Sequence, residues 1–149
     1  MSADPEFWFA KGVTDSLPVV QPTRERAERM LVTTARERDA FAGEMPPNYG
    51  RVTVEKAAAN AVMAGCRPEY LPVLLAAVEC ACDPAFNLHG MSASIRFAAL
   101  TVVNGPIRTR IGVNASFGVF SPGWRANAMP GRALRLLMIK SEHSDVETG

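Results

Sequence analysis

The stretch "NAVMAGCRPEYLP", residues 60 to 72, decides how this chain folds. A run of small residues ends on Gly65, Cys66 follows, and Arg67-Pro68-Glu69 comes next. Glycine after a helical pattern stops a helix, and proline a little further on starts another. The stretch therefore predicts two helices meeting at a tight corner, with Cys66 at or beside the N-terminal cap of the second. Upstream, Thr53 is the expected cap of an alanine-rich helix, "VEKAAANAVMA". Downstream, a helix is predicted from about Pro68 to Cys82, with Pro72 tolerated in its first turn and Asp83-Pro84 as the stop. Its body, "VLLAAVECAC", is apolar nearly all round, which predicts a central, buried helix.

Working outward, "GVTDSLPVVQP" (12 to 22) reads as extended, pinned by Pro18 and Pro22. Thr23 caps a charged helical pattern over residues 24 to 44, and "MPPNYG" breaks it. After Pro84, "IRFAALTVVNG" (95 to 105) is β-branched and apolar and ends on a turn signal, the best strand in the chain. "PIRTRIG" suggests a short helix, residues 113 to 131 read as irregular, and "GRALRLLMIK" (131 to 140) is an amphipathic helix. The fold class is α+β, mostly helical. About four helices surround a buried central one, with a small sheet contributed by residues 95 to 104 and neighbouring extended segments. One domain spans 1 to 149, with flexible tails over 1 to 11 and 141 to 149.

At 149 residues, 48% hydrophobic and 21% charged, the chain can bury a core. No apolar run reaches the roughly 18 residues of a membrane span. The opening "MSADPEFWFA" carries acids where a secretory leader carries Lys or Arg, so the cytoplasm is the expected compartment. Cys66, Cys80 and Cys82 are then free thiols. No C-x-x-C occurs and both histidines lie far from the cysteines in sequence, so no metal site is expected from this chain alone, and no particular cofactor is implied. The net charge of +1 hides an asymmetry. From Pro84 to Ser141 there is no Asp or Glu, while Arg96, Arg108, Arg110, Arg125, Arg132, Arg135 and Lys140 all fall there. That suits a small anionic ligand, or pairing between subunits. Nucleic acid is disfavoured, because the arginines are dispersed among apolar residues without interleaved aromatics.

Cys66 is the sharpest chemical candidate. A thiol at a helix N-terminus beside Arg67 has its thiolate favoured, and thiolate is the nucleophile. The competing reading is a small buried residue filling a corner. Cys80 and Cys82 point about 200° apart on a helix and read as packing residues. "SPGWRANAMPGRALRL" (121 to 136) feeds a glycine-rich segment into a helix start, where free N–H groups with Arg125 and Arg132 suit an anion. His89 in "NLHG" is a candidate general base with Asn104 nearby, weighed against a polar residue at a turn.

Several segments together resemble the UGSC family of bacterial (seleno)proteins. They are "DSLPVVQPT" (15 to 23), "NAVMAGCRPEYLPVLLAAVE" (60 to 79), "DPAFNLHG" (83 to 90), "VNGPI" (103 to 107) and "SPGWRANAMPGRALRL" (121 to 136). The likeness covers most of residues 12 to 138 and falls downstream of the family's U/C-G-S-C motif. That motif does not occur here, so no thiol–disulfide cycle is implied. Met129-Pro130 stands where the family pattern has Thr-Ile. The resemblance implies candidate roles for Cys66, Arg67, Glu69, His89, Asn104, Arg125, Asn127 and Arg132.

The expected function is a subunit of a small-molecule enzyme with a thiol- and arginine-lined site for a carboxylate-like substrate. Cys66 and His89 would act on the substrate, and Arg67, Glu69, Asn104, Arg125, Asn127 and Arg132 would bind it. The alternative is a non-catalytic partner subunit of a hetero-oligomeric enzyme. Either way the chain is expected to be oligomeric.

Overall fold

A computed structural model describes residues 4–92 and 99–142 of the chain. The fold is α+β and mostly helical, as the sequence predicts. Helix α1 (Pro5–Ala10) lies within the expected N-terminal tail; the Asp4 carboxylate caps it, and it buries no residue. Helix α2 (Arg24–Leu31) starts at its Thr23 cap but stops well short of residue 44. The β-branched run Val32-Thr33-Thr34 follows, and the Thr33 hydroxyl lies 2.8 Å from the carbonyls of both Met30 and Pro68. That contact ties the end of α2 to the corner at residue 68.

Residues expected to continue that helix form strand β1 (Phe41–Met45) instead, paired antiparallel with β2 (Gly50–Thr53). The register sets Gly43 opposite Val52 and Met45 opposite Gly50, with an irregularity between Phe41 and Gly43. This hairpin is the sheet of the fold, so the sheet is not where the sequence predicted it. Residues 99–104, the described part of the expected strand, have no strand structure, and residues 95–98 lie outside the described residues. Leu100 and Val102 there are 73% and 72% exposed, and among the described residues no strand pairs with the segment to reward an extended conformation.

The corner itself forms as predicted. Helix α3 (Val54–Ala64) runs from Thr53, whose hydroxyl accepts the Lys56 N–H, to Gly65 in the left-handed conformation at φ +86°. A 3₁₀ turn (Pro68–Tyr70) leads into α4 (Leu71–Cys82), with Pro72 in its first turn. Both are core helices. α3 buries Val54, Ala57, Ala58, Asn60, Ala61, Val62, Met63 and Ala64, and its alanines let α2, α4 and α7 approach it closely. α4 also packs on β1, where Gly43 is required: a Cβ there would lie 2.6 Å from Cys82 Sγ and 2.7 Å from Cys82 Cβ.

Two short helices follow, α5 (Leu88–Ser92) and α6 (Pro106–Arg110). The last helix, α7 (Arg125–Glu142), begins six residues before the expected start at 131 and carries Pro130 inside it. Proline there forgoes one main-chain hydrogen bond. Burial of Ala126, Ala133, Leu134, Leu136, Leu137 and Met138 against α3 and α4 offsets that loss. Ser141, expected in the C-terminal tail, is buried, with its Oγ within hydrogen-bond reach of the Met138 and Pro46 carbonyls. No single helix among the described residues is long and apolar enough to cross a membrane.

Candidate functional site

Gly65 and Cys66 close α3 in a Schellman motif. The Gly65 N–H donates to the Val62 carbonyl at 2.9 Å, and the Cys66 N–H to the Ala61 carbonyl at 2.8 Å. Cys66 is therefore the last residue of a C-terminal cap, and α4 begins five residues later. It also directly precedes Arg67, the N-cap of the 3₁₀ turn leading into α4, so it lies beside that cap as the sequence predicts, but its own N–H is committed to α3. The C-terminal end of a helix carries partial negative charge, which disfavours a thiolate. The side chain is also buried, at 5% exposure. Burial pushes the Cys66 thiol up to about 12, against the opposing pull of Arg125 and Arg132. The poised thiolate expected from the sequence is replaced by a neutral, enclosed thiol.

The two arginines of α7 serve the same corner. Arg125 Nε and Nη2 donate to the Gly65 carbonyl at 2.9 and 2.6 Å, and Arg132 Nη1 donates to the Ala64 carbonyl at 3.2 Å. Both thus satisfy carbonyls that α3 leaves unpaired at its end, where cationic groups also suit its dipole. Arg132 further forms a two-pronged pair with Asp15, at 2.8 and 2.9 Å, and donates to the Pro18 carbonyl at 2.9 Å. Its guanidinium is consumed in strapping residues 15 to 18 across the corner, which corrects its expected part as a substrate ligand. The expected free N–H groups at Gly131 and Arg132 are likewise interior to α7.

Arg125 remains exposed on its outer side and borders a recess of about 270 Å³. Arg67, Arg26 and Arg29 line the same recess, with Cys66 and Met30 in its wall. Arg67 has a long contact of 3.9 Å to Glu69, and Arg26 donates to the Gln21 carbonyl at 2.9 Å. Arg29 has no ion pair or side-chain hydrogen bond among the described residues. Among the described residues no carboxylate lines the recess. Four guanidinium groups around one small concavity can hold a carboxylate or similar anion by charge-assisted, two-pronged hydrogen bonds.

The structure thus brings Cys66, Arg67 and Arg125 together and adds Arg26 and Arg29, which the sequence showed only as part of a charged helical pattern. Their i, i+3 spacing was the available signal, but it does not say what the face meets. Other expected members lie elsewhere. His89 is exposed on α5, with its ring stacked on Tyr49 at 6.0 Å, and it does not line the recess. The expected Cys66–His89 partnership is therefore not formed. Asn127 holds the 113–121 segment instead, accepting from the Asn114 N–H and donating to the Asn114 carbonyl, both at 2.9 Å. Asn104 borders two other, more apolar cavities with Leu100 and Val102. Among the described residues no three His, Cys, Asp or Glu side chains cluster as metal ligands do. No protein-family model, curated protein or solved structure matches the chain.

Proposed function

We propose that this chain is an enzyme subunit that binds a small carboxylate-bearing molecule in the recess formed by Arg26, Arg29, Arg67 and Arg125. The observation that carries this reading is the meeting of four guanidinium groups at one recess with no lining carboxylate among the described residues. Cys66 contributes a neutral wall, because its burial at a helix C-terminus withholds the thiolate. The substrate-holding part of the expected function is therefore retained. The nucleophilic role of Cys66 and the basic role of His89 are not.

Calorimetric titration with malonate tests it. Each charge-assisted hydrogen bond contributes about 1.5–3 kcal/mol, so removing one arginine should weaken binding by tenfold or more. Arg67→Ala and Arg29→Ala are the variants of choice, since neither side chain bonds the α3 terminus. Affinity should also fall between 50 and 500 mM salt. Malonate binding that is unaffected by both substitutions sinks the reading.

A second reading concerns the partner, and exposed aromatic side chains favour it. Phe117 and Phe120 are 98% and 86% exposed, and Phe120 lines a cavity of about 390 Å³ with Leu100 and Val102. An apolar group of this kind suits a protein interface. The acid-free half from Pro84 to Ser141 complements the acid-bearing first half of a second copy. Light scattering is expected to give a dimer, and Phe117→Asp with Phe120→Asp to weaken it at least about thirtyfold, as for buried aromatic anchors. A wild-type chain that stays monomeric at 100 μM excludes the second copy.

A further inference from the structure

The N-terminal half of α3, the C-terminal half of α7 and β2 line a separate, partly open cavity of about 320 Å³. It lies toward the opposite end of α3 from the arginine recess, and its features are those of a reactive amine site. Lys140 of α7 lines it, as do Asn60 and Lys56 of α3 and Arg51 of β2. The Lys140 Nζ donates at 2.9 Å to Met63 Sδ, a weak acceptor. Among the described residues no carboxylate lines the cavity.

Asn60 supplies an independent sign of an occupant. It is only 4% exposed, and its Nδ2 donates to the Lys56 carbonyl at 2.8 Å, which fixes the orientation of the amide. Its Oδ1 is enclosed with no hydrogen-bond partner among the described residues. Buried acceptors are nearly always satisfied, so a ligand bearing an O–H or N–H at this point would complete the site.

We propose that this cavity binds a small oxo acid, whose carbonyl carbon condenses with Lys140 Nζ while Arg51 and Lys56 attract its carboxylate. The amine lone pair forms the C–N bond and the carbonyl oxygen takes up a proton, giving a carbinolamine. The Asn60 Oδ1 accepts the hydrogen bond of that new hydroxyl. Loss of the hydroxyl with the remaining amine proton as water leaves a C=N bond to Lys140. No oxidant or reductant is needed. A lysine desolvated and flanked by other cations is the usual form of an imine-forming amine. Here burial lowers Lys140 to about 8, so about half of it is unprotonated at pH 8. Arg51 and Lys56 border the same cavity, and the Lys56 Nζ donates to the Arg51 carbonyl at 2.8 Å. The volume is at the lower end of the roughly 300–1,000 Å³ of small-molecule sites, which limits the ligand to a few carbons.

The chain has three lysines, Lys11, Lys56 and Lys140, so they can compete within one experiment. The unaltered full chain is treated with glyoxylate and cyanoborohydride at pH 8, and each lysine is read by peptide mass. Lys140 is expected to be labelled at least about tenfold faster than Lys11 and Lys56. Glyoxylate should also label Lys140 faster than the neutral glycolaldehyde does. Asn60→Leu should slow labelling at Lys140 and leave Lys11 unchanged. Equal rates at the three lysines, or equal rates for the two aldehydes at Lys140, overturn the proposal. Both comparisons use the unaltered protein, so they decide the matter even where Asn60→Leu fails to fold.

Discussion

At pH 8, iodoacetamide is expected to alkylate Cys66 in the native protein roughly a thousandfold more slowly than in the unfolded chain, with the exposed Cys80 followed in the same digest. The factor follows from a thiol moved from 9.0 to about 12, each unit being tenfold in thiolate. Burial at 5% exposure adds a steric barrier in the same direction. The cause is desolvation, opposed by the positive charges of Arg125 and Arg132, which are too engaged with carbonyls to win. Removing either arginine should therefore slow Cys66 further unless the corner opens. The sign for stability also follows. The folded chain holds the proton more tightly than the unfolded one, so this contribution is intact below about pH 9 and is lost as pH rises toward 12. Peptide mass after timed quenching gives the rates. Alkylation of native Cys66 within tenfold of its rate in the unfolded chain would show a reactive thiol and restore the nucleophile.

The second large effect concerns the strap. Arg132→Ala should destabilise the fold by about 3 kcal/mol, near the lower end of what breaking a buried ion pair costs. The pair is not fully enclosed, with side chains 17% and 16% exposed, which argues against the upper end. Beyond the pair, the substitution frees the Ala64 and Pro18 carbonyls and leaves Asp15 without its cation. For a chain of this length that is about 6–12 °C in Tm. The pH dependence separates the ion pair from simple loss of packing. Burial raises the Asp15 carboxyl, but the hydrogen bond and charge of Arg132, with backbone N–H groups, together hold it below its ordinary 3.8. The stability it contributes is present above that value and is lost as pH falls through the lower folded value. The gap between wild type and Arg132→Ala should thus be wide at pH 7 and narrow at pH 3, in urea titrations at each pH. An unchanged gap means that Arg132 acts through its methylene stem.

These residues also mark what could be read without a structure. Thr53, Gly65, Pro68 and Pro72 act through local backbone chemistry: a side-chain cap, a left-handed glycine, a proline in a first turn. The corner between α3 and α4 was legible for that reason. The mostly helical character and the interior positions of Leu134, Leu137 and Met138 followed from helical periodicity, whereas the small sheet was expected at residues 95 to 104 and forms elsewhere. The strand at 41 to 45 was not legible, since Phe41-Ala42-Gly43-Glu44-Met45 continues a helical pattern. It becomes a strand only because Gly43 lets β1 press onto Cys82 and because β2 is there to pair with it. Conversely, residues 99 to 104 have strand composition but no strand to pair with among the described residues.

The site divides along the same line. Composition alone determined that arginines outnumber acids after Pro84 and that thiols are few. Only tertiary structure decided that Arg26 and Arg29 from α2 meet Arg67 and Arg125, or that Arg132 is spent on Asp15 across 117 positions of chain. Cys66 is the clearest case. Its neighbours in sequence, Gly65, Arg67 and Pro68, suit either end of a helix. That it closes α3 depends on one hydrogen bond to Ala61, and that its proton is held depends on its burial, which outweighs the nearby Arg125 and Arg132.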